Sequence, residues 1–325
     1  MTTPEFPEIE LALISSAMSG DAGKLYRIAS DLMEEGVSFE SILFDYLLAA
    51  ERSVGQRWAQ GDYLVAEEHA VTASIETVIS LLIGMFDQPA DAPLVVVATA
   101  EGDEHSLPAR AAAAHLVYLG YRTIFLGASV PSDDLRDFLE SDPPAALVLS
   151  VSMTTHLVGA RAVIAAAHDA GVPVVAGGKG LGDHGQWSVA IGADTNVESL
   201  RDVPAIVDGW VNDGSPRVES LGELPPGLTR LRTIRSAILA GAEAGLAPES
   251  AGLRDETGLL LGAIEGALLT GDGQIVVDML EWQETHLGAY GLEGSAVADA
   301  LASALAEQSD EASAVLARAR EMRAG

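Results

Sequence analysis

The chain has 325 residues, 48% of them apolar, with 48 acidic against 18 basic side chains, a formal net charge of −30 and no cysteine. That length gives room for two or three domains with real cores, and so negative a field repels polyphosphate and anionic lipid, which argues against direct nucleic-acid binding. Without cysteine there are no disulfides, thiolate metal sites, thiol nucleophiles or thioether-linked chromophores, so anything bound is held by contacts or through histidine.

The first ten residues, Met1–Glu10, carry acids where a secretion signal carries Lys or Arg, and no uncharged apolar run reaches membrane-spanning length, so a cytoplasmic protein is expected. From Phe6 to Phe86 apolar residues recur at spacings of three and four: Ile9, Leu13 and Ile14, then Leu25, Ile28 and Leu32, then Leu43, Leu47, Leu48 and Val54. This is the helical period. Gly20, Gly36 and Gly61 punctuate the pattern and Val65–Phe86 continues it, so residues 1–88 are expected to form a small antiparallel helical bundle. Asp87–Pro93 reads as a linker. Over residues 93–214 short β-type runs (Leu94–Ala98, Thr123–Leu126, Ala146–Val151, Val172–Ala176) alternate with Ala-rich helical stretches. Continuous apolar strands suit a parallel sheet covered on both faces. Five βα units predict a flavodoxin-like, doubly wound parallel sheet whose ligands sit at the carboxyl ends of the strands. Asn212–Gly227 is a second linker, and residues 226–325 read as helices with no strand signal, either a third, all-α domain or an extension packing on the first two.

The first strand runs into Asp103-Glu104-His105-Ser106-Leu107-Pro108, with Pro108 in the first turn of the next helix. A lone histidine at a ligand-binding edge is more often a hydrogen-bonded loop residue than a metal ligand. Asp103 changes that balance, because a carboxylate two residues away can hold one ring proton and leave the other nitrogen free for a metal.

Asp103-x-His105-x-x-Pro108, followed by Ser150-Val151-Ser152 and by Gly177-Gly178, resembles the cobalamin-binding signature Asp-x-His-x-x-Gly, Ser-x-Leu, Gly-Gly. Pro108 stands where the signature has Gly, and Ser152 where it has Leu. The resemblance implies that His105 replaces the cofactor's dimethylbenzimidazole as lower cobalt ligand. It also implies that the displaced tail enters a slot where Ser150 bonds it and Gly177-Gly178 let backbone approach. Glu104, Ser152 and Thr154, on the same two loops, complete the expected cobalamin-binding set.

Before this domain, Trp58 ends one helix and Glu68-His69 opens the next. Taken alone, Trp58 reads as a core aromatic and Glu68 as a first-turn acid favoured by the helix dipole. The spacing Trp-x9-Glu-His, however, resembles CarH-type cobalamin photoreceptors, whose helical bundle caps the upper corrin face. That resemblance implies adenosylcobalamin as chromophore, Trp58 packed on its adenosyl group, and Glu68 and His69 lining the pocket. Light would break the cobalt–carbon bond and shift domain packing, with a homo-oligomer whose assembly changes with light as the expected output. Ala59 stands where a family histidine can ligate cobalt after photolysis, which leaves water as the expected lit-state ligand and His69 as the nearest substitute in sequence.

The layout of a cobalamin sensor followed by helices is similar to the photocobilins, and implies a second, non-covalent chromophore, biliverdin. Arg230, Arg232 and Arg235 could pair with propionates, and Trp282, His286 and Tyr290 share one helix face. The bland reading of both groups is salt bridging and core packing. A corrinoid methyl-carrier protein serving a methyltransferase system is the alternative reading of the whole chain, and a cobalamin-responsive interaction module a third.

Overall fold

The bundle that opens the chain is built of α1 (Phe6–Met18), α2 (Ala22–Glu34), a third helix that starts as α3 (Phe39–Ser41) and passes through a π-helical stretch (Ile42–Leu47) into α4 (Leu48–Ala59), and α5 (Val65–Ile83). This computed structural model describes residues 6–246 and 253–324, so the first half of the Met1–Glu10 segment lies outside it. Local chemistry sets the helix starts: Asp21 Oδ1 accepts from Lys24 N at 2.8 Å and Ser38 Oγ from Ser41 N at 3.1 Å. Gly61, at φ +81°, makes the turn between α4 and α5 in a conformation that disfavours a side chain. Leu25, Leu43, Leu47, Val54, Ile75 and Ile79 meet in the bundle's buried core, and that core continues into Leu107, Ala111 and Ala114 of α6 (Ser106–Tyr118). The bundle is therefore seated on the helix that follows His105.

Five strands, β1 (Leu94–Thr99), β2 (Arg122–Phe125), β3 (Ala146–Ser150), β4 (Val174–Gly177) and β5 (Thr195–Val197), form one parallel sheet in the order β2-β1-β3-β4-β5. The expected doubly wound sheet is present, and the order reverses between β1 and β3, which pair from Val95↔Ala146 to Thr99↔Ser150. In open parallel sheets the crevice outside such a reversal is the binding position. Alternate residues of β1 serve opposite faces: Val95 and Val97 pack with Ala109, Leu116 and Val207, while Val96 and Ala98 join the core that holds Leu147, Leu149 and Ile164. Besides α6, the helices between strands are α7 (Ser132–Ser141), α8 (Leu157–Asp169) and α9 (Ser188–Ile191), and α10 (Val203–Asp213) closes the domain.

The C-terminal region is all helical in its described residues: α11 (Pro226–Thr233), α12 (Arg235–Gly245), α13 (Arg254–Thr270), α14 (Gln274–Ala289), α15 (Gly294–Ala306) and α16 (Asp310–Ala324). The first two of these helices are separated at Ile234, whose φ of −106° and ψ of 7° leave the helical region. Buried residues of these helices, among them Leu260, Ile264, Ile275 and Leu301, share one continuous core with a face of the sheet. Gly262 and Gly266 of α13 make the close approach possible: a Cβ at Gly262 would lie 2.9 Å from Thr155 Cβ, and one at Gly266 3.0 Å from the Thr154 carbonyl. The preceding linker is tied down rather than free, with Arg161 donating to the Gly222 carbonyl at 2.6 Å and Ser220 Oγ to Asp169 at 3.0 Å. Among the described residues no helix is long and apolar enough to cross a membrane.

Candidate functional site

Asp103 is the organising group. Its side chain has no exposed surface. Oδ1 accepts from the His105 amide at 3.0 Å and lies 2.8 Å from His105 Nδ1, while Oδ2 accepts from the Ser152 amide at 2.7 Å. One carboxylate thus ties the loop after β1 to the loop after β3 across the reversal point of the sheet. Burial alone would raise the Asp103 carboxyl, but the bonds from the His105 ring and from the two amides overcome it and hold it below its ordinary value. The same bond raises His105, against the opposing effect of burial. With Nδ1 committed to Asp103, Nε2 is the ring nitrogen left to bind a metal, on a side chain that is 56% exposed.

His105 opens into a cavity of about 620 Å³ roofed by the bundle. Trp58, Glu68, His69 and Thr72 come from α4 and α5, while Glu104, Pro108 and Ser152 lie on the sheet side. The three residues anticipated at one end of the bundle therefore face His105 across one space. Glu68 accepts from Thr72 Oγ1 at 2.8 Å and lies 2.7 Å from His69 Nδ1, which fixes its carboxylate at the wall. Glu51, also on the wall, is raised by burial and by the nearby Glu68 charge. The Ser152 hydroxyl is buried and has no partner. The free nitrogen of a carboxylate-held histidine that opens into this space fits a metal-bearing ligand entering it.

Other anticipated residues are placed differently. Ser150 ends β3, buried, paired in register with Thr99 and Gly177. Gly178, at φ +120°, could not carry a Cβ, which would lie 2.3 Å from the Val151 carbonyl, and a Cβ on Gly177 would meet Val197 at 3.0 Å. The pair is thus required by the protein's own packing at the ends of β3 and β4, whatever else approaches it. Thr154 begins the turn seated on Gly266 of α13, on the C-terminal side of the site. Sequence reasoning missed His156: its ring, His105 and Asp103 each bring a donor atom within 4.8 Å of the others. Both Asp103 oxygens are already occupied by hydrogen bonds, so this trio reads as a held histidine with a neighbour rather than a three-ligand ion site. Burial lowers His156. Nothing in the run Met153–Leu157 signals its role, because only the fold brings it beside Asp103.

The six residues considered for a bilin fall in three places. Arg232 and Arg235 line a cavity of about 560 Å³ with His156, but both are paired with the buried Glu265, at 3.8 and 3.2 Å. Arg230 lines a separate cavity with Asp310 and Glu311. Trp282, His286 and Tyr290 do share one face of α14, and their stack meets Trp58: His286 lies 4.8 Å from the Trp58 ring and 5.2 Å from Tyr290.

A carboxylate-held histidine at the reversal point of a flavodoxin-like sheet, facing a cavity under a helical bundle, defines a corrinoid-binding protein. Residues 93–200 match the family described as B12 binding domain, and residues 10–83 match a second family of the same description. Through these two regions the chain is a cobalamin-binding protein. It is similar to the trimethylamine corrinoid protein of Methanosarcina barkeri, 24% identical over 193 residues that cover 57% of this chain and 88% of that one. Similarity to trimethylamine corrinoid protein 1 of Methanosarcina mazei is 26% over 184 residues, 54% of this chain and 84% of the relative. In structure the chain is similar to the monomethylamine corrinoid protein of Methanosarcina barkeri, with a TM-score of 0.53 and 20% identity over 62% of this chain and 98% of that one, a likeness of fold. Of the readings drawn from the sequence, these relatives favour the methyl carrier over the light sensor.

Proposed function

We propose that the chain is a light sensor that holds adenosylcobalamin between its helical bundle and its sheet, with His105 as lower cobalt ligand. The observation that carries this reading is the wall of Trp58, Glu68 and His69 facing His105 across one cavity. An aromatic face beside fixed polar groups is what a purine needs, since it offers a π-face and a polar edge, and a methyl group needs neither. Bound adenosylcobalamin supplies a cobalt–carbon bond that visible light breaks. Asp103 would keep His105 in the tautomer that offers Nε2 to the metal, and Trp58, on the opposite wall, would sense the presence or loss of an upper group. Loss of that contact would favour a different packing of the bundle, and a light-dependent change in self-assembly is the output expected of it. Elution volumes that stay identical before and after full photolysis would remove that output.

The second reading, a corrinoid protein that carries methyl groups for a methyltransferase system, is favoured by what the relatives are named for. A carrier must uncover its upper face to partner enzymes. The contacts of α14 with Trp58, together with those of α13 with the loop after β3, oppose such opening here. Biliverdin belongs to the sensor reading: Arg232 and Arg235 are the groups its propionates would use, in exchange for Glu265. One experiment separates the readings. The protein is loaded in the dark with adenosylcobalamin and biliverdin, and its absorption spectrum recorded before and after green light. Conversion to a hydroxocobalamin-like spectrum that stays bound supports the sensor, and a far-red band that survives supports the bilin. Failure to retain adenosylcobalamin, together with tight binding of methylcobalamin, supports the carrier.

A further inference from the structure

Trp58 faces two ways. It lines the cavity opposite His105, and its other neighbours are the rings of α14. The Trp58 ring lies 4.8 Å from that of His286 and 6.4 Å from that of Trp282, and the two α14 rings stack on each other at 4.8 Å with an interplanar angle of 10°. They are four residues apart, one above the other on a helix face. The turn after α4 touches the same face one turn further on, where a Cβ at Gly61 would lie 3.2 Å from Ala289 Cβ. His286 is buried, yet its Nδ1 has no hydrogen-bond partner. A buried ring nitrogen left unpaired is unfavourable, so hydrogen bonding at Nδ1 does not explain the position of this ring, whereas its aromatic contacts do.

The other wall of the site is held by the same region. Gly262 and Gly266 of α13 seat Thr154 and Thr155, two and three residues beyond Ser152. The C-terminal helices therefore grip the bundle side of the cobalamin site through α14 and the sheet side through α13. Both helices lie beyond residue 200, where the matched B12 binding domain ends.

We propose that His286 and Trp282 are positioning residues for Trp58, so that α14 is a working part of the cobalamin site and sets its preference for the upper cobalt ligand. This rests on the adenosyl reading above. Removing either ring leaves Trp58 free to rotate away from the cavity while His105, Asp103 and Ser152 stay in place. The loss falls on cobalamins with a large upper group and spares those without one.

The test is calorimetric titration of the full chain, under dim red light, with adenosylcobalamin and with hydroxocobalamin, for the wild type and for His286→Ala, Trp282→Ala and His286→Phe. The wild type should prefer adenosylcobalamin. His286→Ala and Trp282→Ala should each reduce that preference by about two- to tenfold, the worth of one aromatic pair, with hydroxocobalamin affinity unchanged, and His286→Phe, which keeps a ring, should restore it. Equal loss for both ligands would mark His286 and Trp282 as merely structural, and an unchanged preference would show that Trp58 needs no brace; either overturns the proposal. A wild type with no preference would overturn the adenosyl reading itself, and that outcome is read on the wild type alone.

Discussion

Replacing Asp103 by Asn isolates the group on which the site depends. The carboxylate is wholly enclosed and takes three donors, the His105 amide and ring on Oδ1 and the Ser152 amide on Oδ2. Asn offers one oxygen. If that oxygen faces His105, the new NH2 group meets the Ser152 amide, donor against donor; if it faces Ser152, the NH2 group meets the His105 amide and ring. Either way a buried donor is stranded, at a cost of about 1–3 kcal/mol, and a charge-assisted bond of similar size is lost. The second orientation also drives the proton to Nε2, the nitrogen that the proposed cobalt ligation would use. Partners of this kind are worth about ten- to a hundredfold in metal affinity. The assay is cobalamin binding, followed by electron paramagnetic resonance of the cob(II)alamin form in protein labelled with nitrogen-15 histidine, where the axial nitrogen's splitting reports which base ligates. Asp103→Asn is expected to weaken binding within that range and to lose the labelled splitting. Wild-type affinity with the splitting intact would refute the reasoning that Asp103 sets the tautomer.

Cobalamin affinity should depend on pH through His105, which its bond to Asp103 raises above its ordinary value. Under the proposed ligation a proton and cobalt would compete for Nε2, so affinity should fall as pH drops through that raised value and level off above it; a flat profile between about pH 5 and 8 would contradict His105 ligation. In the cofactor-free protein the sign reverses, because the protonated His105–Asp103 pair adds stability that is fully present below the ordinary histidine value and is lost as pH rises through the raised one. Gly262→Val places side-chain atoms where even a Cβ meets Thr155 at 2.9 Å. The expected cost is about 1–3 kcal/mol, seen as a lower melting temperature and faster amide exchange in residues 152–157, and unchanged exchange there would show that α13 does not hold the loop. Arg201→Ala removes bonds to Glu40 at 3.0 Å and Asp45 at 2.8 Å and a guanidinium 4.7 Å over the Phe44 ring, which together join the bundle to the sheet domain. These groups are partly exposed and screened, so a loss of no more than about 1 kcal/mol is expected, and a drop several times larger in a thermal melt would mean that this contact is the main hinge of the bundle.

The local elements were legible because each rests on contacts close in sequence. Apolar residues three and four apart marked the bundle helices, and short continuous apolar runs marked four of the five strands within two residues of their observed ends. Asp103 and His105 could be paired on the page because two residues in one loop meet in any fold that keeps the loop. Trp58 and Glu68-His69 were within reach because a single turn at Gly61 joins them. What the sequence determined was therefore a set of short-range units and the chemistry each carries. Only the tertiary structure decided how they are shared: Ser152 completes the Asp103 site from 49 residues away, His156 arrives beside it unannounced, and the arginines separate from the aromatic row once Glu265 claims two of them. The same is true of α14, whose rings could be placed on one face but not against Trp58. Such meetings depend on where whole elements settle when their apolar faces are buried together, and no spacing along the chain records that.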